Sequence, residues 1–223
     1  MRQPPRPGAS VPLAQPERPR APGRAKPVPR LAASQLRRMR AIVDEAVALA
    51  EQGGFDAVRL RDVAEASGVA LGTLYKYFRS KEDILLFAVH EEAEKLEAVM
   101  AARPARGATP SERVEQFFAR ATRGFTRRPN LARAVIRAIA VGEHDLAVKV
   151  AAFHLRMERL IVTALHGAAP AGSARAGNRE AAIANTLNRV WFASLVGWAG
   201  GLHTTREVGE CMRETLSLLL EPS

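Results

Sequence analysis

Three times in this sequence a hydroxyl residue is followed three places later by an acid, each time just ahead of an apolar stretch. These are Ser80-Lys81-Glu82-Asp83, Thr109-Pro110-Ser111-Glu112 and Thr204-Thr205-Arg206-Glu207. Each is a helix start: the hydroxyl accepts from the third helical N–H and the acid returns to the free N–H at the cap. Pro110 suits the first helical position, whose N–H would be unpaired anyway. Between such starts, apolar residues recur at steps of three and four. Leu36, Met39, Val43, Val47 and Ala50 form one such stripe, with Ser34 as its expected cap and Gly53-Gly54 as its stop. Phe55 to Leu60 alternates weakly, but it lies between helix signals and reads as a connection. The expected fold is all-α, with about nine helices.

Further expected helices run from about Leu60 to Ser67, Leu71 to Phe78, and Lys81 to Met100. Thr109 then opens one reaching Arg128, broken at Pro129, and Asn130 caps the next, Leu131 to Val141. Leu146 to His166, Arg179 to Gly201 and a last helix to Leu220 complete the set. The Ala/Gly/Pro/Ser-rich stretch from Gly167 to Gly177 reads as a loop.

Charge narrows the function. The chain carries 33 Lys+Arg against 23 Asp+Glu, a net +10 over 223 residues, which points to an anionic partner, most often nucleic acid. Residues 1–33 hold seven basic groups, one acid and nine of the fourteen prolines. Proline so dense removes amide donors and blocks helix, so this segment is expected to be a disordered arm. It reads either as a sequence-blind attraction to phosphates or as a solvated tail. The last 142 residues are nearly balanced, with 18 basic and 16 acidic side chains. An architectural DNA-binding protein would spread its charge more evenly. The domains expected are the arm at 1–33, a DNA-binding domain at 34–81 and an effector-binding and dimerisation domain at 82–223.

Several classes are set aside. One cysteine, Cys211, excludes a disulfide scaffold and a multi-cysteine metal site. The longest nearly uncharged apolar run, Val190 to Leu202, has 13 residues, too short for a bilayer, and the N-terminus has no apolar signal core. A cytoplasmic, nucleoid-associated protein with no membrane partner is expected. No GxSxG, HExxH or GxxxxGK motif is present, and Gly197-Trp198-Ala199-Gly200-Gly201 lies in an apolar helix rather than after a strand. His90 and Glu94 share a helix face, but two ligands alone make a weak metal site. Neither an enzyme nor a cofactor or metal requirement is expected.

The informative unit is the pair of short helices joined at Gly68. Two such helices with a glycine turn form a helix-turn-helix, the second sized for the major groove. On that second helix Leu74 and Phe78 face inward, while Gly72, Thr73 and Lys76 face out, flanked by Tyr75 and Tyr77. A small residue, a hydroxyl, a cation and two phenols suit close approach to bases and phosphates. Arg59 and Arg61 stand where backbone clamps usually lie, and Lys81 adds charge to the free amides opening the next helix.

In order and spacing, Gly53-Gly54-Phe55, Leu60-Arg61-Asp62-Val63-Ala64, Gly68-Val69, Gly72-Thr73-Leu74-Tyr75-Lys76-Tyr77-Phe78 and Ser80-Lys81-Glu82 resemble the N-terminal signature of TetR-family transcriptional regulators. The resemblance spans about residues 37–90. It implies a homodimer that binds a double-stranded palindromic operator and is released from it by a small hydrophobic or acyl-CoA effector. It also implies that Arg61, Thr73 and Tyr75 approach bases and that Arg59, Tyr77 and Lys81 hold phosphates. Ala70 and Leu71 depart from the pattern. Ala70 lacks a common hydroxyl, and Leu71 replaces a polar group, leaving contact with a thymine methyl. Arg128-Pro129-Asn130-Leu131, Arg137-Ala138 and Val190-Trp191 through Trp198 are similar to an actinobacterial subgroup that represses steroid and cholesterol catabolism. That likeness implies a steroid-derived acyl-CoA inducer. The alternatives are a non-sensing architectural protein and a regulator of efflux or fatty acid metabolism.

Within the effector half, Phe117, Phe118, Phe125, Ile136, Met157, Ile161, Trp191, Leu195 and Trp198 are the candidate pocket residues, drawn from one apolar core. Arg123, Arg137 and Asn188 are the candidate polar groups. Ala193, Gly197 and Gly201 recur every four residues and, with Leu216, are the expected dimer seam, the small residues allowing close helix approach. Two reading heads on a palindrome must sit one duplex turn apart, about 34–36 Å.

Overall fold

The structure, a computed structural model, describes residues 33–141, 144–167 and 177–220. The proline-rich arm, but for its last residue, and the interior of the expected loop after Gly167 lie outside the described residues. The described residues form nine α-helices and no strand. They are α1 (Ala33–Ala57), α2 (Leu60–Ala66), α3 (Leu71–Tyr77), α4 (Lys81–Ala102), α5 (Pro110–Thr126), α6 (Pro129–Val141), α7 (Ala147–His166), α8 (Asn178–Ala199) and α9 (Thr205–Leu220). A 3-10 turn, His144–Leu146, leads into α7.

The three start signatures each cap a helix. The hydroxyls of Ser80, Thr109 and Thr204 accept from the N–H groups of Asp83, Glu112 and Glu207 at 3.3, 3.2 and 3.2 Å. Glu207 returns to the Thr204 N–H at 2.7 Å, completing the box. That backbone bond, with the Thr204 hydroxyl second, holds the Glu207 carboxyl below its usual range. At the other two sites the acid also reaches one residue further back, Asp83 to the Arg79 N–H at 3.1 Å and Glu112 to the Ala108 N–H at 2.7 Å.

Four local expectations are corrected. Ser34 lies inside α1, not at its cap. Gly53-Gly54 kinks α1 without ending it: Gly54 takes φ 70 and ψ −159, open only to glycine, and a last turn continues to Ala57. Pro129, expected to lie between two helices, is the first residue of α6, and α5 stops at Thr126, short of the expected Arg128. Asn130 therefore sits in the first turn, where its Nδ2 donates to the Glu51 carbonyl of α1 at 2.9 Å rather than capping its own helix.

One apolar core runs through the described residues. Phe117 of α5, Ile84, Leu85 and Leu86 of α4, Met157 and Ile161 of α7, and Leu187 and Leu195 of α8 are all fully buried. Each such side chain contributes about 1.5–3 kcal/mol relative to exposure. α1 packs on α4 and α6, and α5 and α8 pack on α9. The short pair α2–α3 rests on α1 through Val63, Ala64 and Leu74. Gly68, at φ 67, makes the turn between them, letting the Val69 N–H bond the Ala64 carbonyl at 3.0 Å.

Candidate nucleic-acid interface and effector cavity

α3 is pinned by Leu74 and by Phe78 just after it, at 0% and 2% exposure. The Phe78 ring meets Phe87 of α4 edge-on, with centroids 5.7 Å apart. With that face fixed, Arg59, Arg61, Ala70, Gly72, Tyr75 and Lys76 are exposed, and Leu71, Thr73 and Tyr77 are half-buried. Among the described residues Arg59, Arg61 and Lys76 pair with no carboxylate, so their charge is available to an outside anion. Nothing lies within 4 Å of where a Gly72 side chain would begin. The chain's own packing therefore does not require glycine there, and the gap admits close approach from outside.

Lys81 departs from the expectation. Its ammonium turns back, donating to the Phe55 carbonyl at 3.1 Å and sitting 3.9 Å from the Phe55 ring centroid. The neighbouring Arg79, which sequence reasoning missed, is exposed and pairs with Asp145 at 3.0 Å.

A line of polar contacts joins α1 and the start of α4 to the rest of the helices. Glu51 meets Arg128 at 2.9 Å, and Asp56 meets Arg137 at 2.7 Å. The Arg137 guanidinium also stands 4.5 Å from the Phe55 centroid, so this ring has a cation from α6 as well as one from α4. The buried Asp83 carboxylate is paired with Lys149 of α7. Arg137, expected as a polar pocket group, is therefore a junction residue. No motif announced these pairings, because their partners lie 66 to 81 residues apart.

Among the helices lies a cavity of about 450 Å³. Its floor is Phe153 and Met157 of α7 and Trp191 of α8, all at least nine-tenths buried. Its walls include Val43 and Val47 of α1, Val89, Ala93 and Leu96 of α4, and Leu131 and Val135 of α6. Its rim carries Arg123 of α5, Arg127 and Arg128 of the turn that follows it, and Lys95 of α4, facing Asp44 and Glu91. Arg123 and Arg127, one turn apart and exposed, meet no carboxylate among the described residues.

Of the nine expected pocket residues, Phe125, Met157 and Trp191 line this cavity. Phe117, Phe118, Ile136, Ile161, Leu195 and Trp198 do not; they are core groups no more than 8% exposed. Helical periodicity shows which face turns inward, not which inward groups border a void. Asn188 is also elsewhere, bonded through Nδ2 to His154 Nδ1 at 3.1 Å. Burial pushes the His154 imidazole below its usual 6.5, with Arg189 acting the same way and Glu158 opposing.

The four residues expected at the seam do not share one exposed face. Ala193 is exposed, as are Val196 and Gly200, so the open stripe of α8 is Arg189, Ala193 and Val196, continued by Gly200 just past its end. Gly197 is buried, and a side chain there would overlap the His203 ring of the same chain. Gly201 is exposed at φ 81 and ends the helix turn. Leu216 is 1% exposed in the core and cannot reach another subunit unaided. Among the described residues no helix is long and apolar enough to cross a membrane.

Residues 42–88 match the family model for bacterial regulatory proteins of the tetR family, and residues 107–219 match that for the tetracyclin repressor-like C-terminal domain. The chain is 33% identical over 187 residues to the HTH-type transcriptional repressor KstR of Rhodococcus jostii, covering 84% of each. It resembles the crystal structure of a TetR transcriptional regulator from Rhodococcus with a TM-score of 0.73 and 23% identity, over 84% of this chain and 98% of the other. It also resembles Thermus thermophilus FadR, a TetR-family repressor solved in complex with lauroyl-CoA, with a TM-score of 0.60 and 22% identity. That match covers 81% of this chain and 92% of the other.

Proposed function

The chain belongs to the TetR family of bacterial regulatory proteins, and from that premise we propose that it is a dimeric repressor released from a palindromic operator by an acyl-CoA thioester. The observation that carries the effector half is the cavity: an apolar interior with unpaired arginines, Arg123 and Arg127, at its rim. An apolar acyl group suits the former, and the phosphates of a thioester's carrier suit the latter. A steroid-derived acyl group is the finer form of this reading, supported by the likeness to KstR. α1 and α4 line the cavity; α1 also packs on α2 and α3, and Phe87 of α4 meets Phe78 just after α3. A ligand that favours one arrangement of α1 and α4 therefore biases the reading heads, to the extent of its preference for that arrangement.

In this reading Arg61, Thr73 and Tyr75 face bases, with Ala70, Leu71 and Gly72 allowing close approach. Arg59, Lys76, Tyr77 and Lys81 serve phosphates, Lys81 after leaving Phe55. The open stripe Ala193, Val196 and Gly200 meets its counterpart in the second subunit, spacing the heads by one duplex turn, about 34–36 Å. The test is selection of bound sequences from random duplex DNA, repeated with a steroid acyl-CoA and with a fatty acyl-CoA. A palindrome lost on adding either thioester supports the proposal, and the steroid one acting alone supports its finer form. Capture of duplexes with no shared sequence contradicts it.

A further inference from the structure

Phe118, Thr122 and Phe125 follow one another along α5 at steps of four and three, forming a single stripe. Trp191 reaches across from α8 and lies on it, its ring centroid 5.8 Å from that of Phe118 and 6.4 Å from that of Phe125. The one polar position of the stripe meets the one polar atom of the indole: Trp191 Nε1 donates to Thr122 Oγ1 at 2.9 Å. Both residues are buried, at 3% and 7% exposure, so neither group exchanges its partner for water without movement. Trp191 is at the same time part of the cavity floor, whereas Phe118 and Thr122 are not. The indole is thus the partition between the open space and the core behind it.

A buried N–H with no acceptor is strongly disfavoured, so the Thr122 hydroxyl decides which way the indole stands. Turned otherwise, the ring has to carry its N–H towards the cavity, the one side from which an outside acceptor can reach it, and the floor rises. We propose that Thr122 is a positioning residue that sets the depth of the cavity through Trp191, and with it the length of apolar group the cavity accepts. This rests on the reading that the cavity holds the effector, but the anchoring of the ring is measurable without any ligand.

The test uses the full chain carrying Trp198→Phe, which leaves Trp191 as the only tryptophan. Thr122→Val removes the acceptor at nearly constant volume, and Thr122→Ser keeps it. Acrylamide quenching of the Trp191 emission is expected to rise about two-fold in Thr122→Val and to stay at the parent value in Thr122→Ser. Calorimetric titration is expected to show stearoyl-CoA weakened about ten-fold by Thr122→Val and decanoyl-CoA changed less than about two-fold, with operator affinity in the absence of ligand unaltered. Trp191→Phe has no N–H to satisfy, so in that background Thr122→Val is expected to change neither affinity. Unchanged quenching in Thr122→Val overturns the inference, as does an equal loss for both chain lengths. A parent protein that binds neither of these thioesters nor a steroid acyl-CoA, while Thr122→Val still raises quenching, overturns the effector reading and upholds the anchoring of the ring.

Discussion

Lys81 gives its ammonium to Phe55 twice over, to the carbonyl at 3.1 Å and to the ring face at 3.9 Å, at the point where α4 meets the end of α1. The first turn of α4 is thereby tied to the kinked end of α1, and Arg137 of α6 holds the same ring. A phosphate that takes Lys81 has to win it from Phe55, an exchange of one modest attraction for another, since a cation–π contact at a partly exposed site is worth about 0.5–2 kcal/mol.

Lys81→Ala is therefore expected to weaken binding to every duplex alike, without altering base preference. The slope of log affinity against log salt should fall by about 1, the signature of one lost phosphate contact. Salt titrations by fluorescence anisotropy on operator and on unrelated duplex check this. A changed preference between the two would place Lys81 at a base.

Thr73→Ala and Tyr75→Ala are expected to act differently, costing about 1–3 kcal/mol on the operator and much less on unrelated duplex. Competition binding with single-base operator variants reads the effect. Equal losses on both duplexes would move these residues to the backbone.

Leu216 and Val196 separate the core from the proposed subunit seam. Leu216→Ala should lower the unfolding free energy by about 2–5 kcal/mol, as other buried leucines do, because the cavity it leaves is enclosed within one chain. Val196→Glu places a charge on the open stripe of α8 and should give monomers with little change in monomer stability. Urea melts and sedimentation velocity distinguish the two. A dimer unaffected by Val196→Glu would put the seam elsewhere.

His154 makes stability depend on pH. Its imidazole is held below the usual 6.5 in the folded protein, first by burial. The unfolded chain therefore binds more protons between the two values, and the stabilisation is complete above 6.5 and is lost as pH falls below it. Thermal melts between pH 7.5 and 5 should show this fall, and His154→Gln should flatten it. Parallel pH profiles for the two proteins would assign the effect to another group.

The helices were legible because their ends carry local chemistry. Ser80, Thr109 and Thr204 reach only three residues forward, and Gly68 needs only its own backbone, so short stretches of sequence contain both partners. The outward face of α3 was legible for the same reason, since Leu74 and Phe78 mark the side that is buried. What escaped depends on partners distant in sequence. Lys81 found Phe55 and Arg79 found Asp145, while Phe117 and Phe125, eight residues apart, fall one in the core and the other at the cavity. Gly197 sits where a helix seam was expected, but the His203 ring that fills its space comes from a turn no periodicity describes.

Release of the operator by the effector is tested most directly by one titration: a steroid acyl-CoA or a fatty acyl-CoA added to preformed complex of the protein with its selected operator, followed by anisotropy, with thioester binding measured calorimetrically on the same preparation. Saturation of the cavity is predicted to release the DNA, and Arg123→Glu with Arg127→Glu to raise the thioester concentration that this requires. Thioester that binds to saturation while operator affinity stays the same would contradict it.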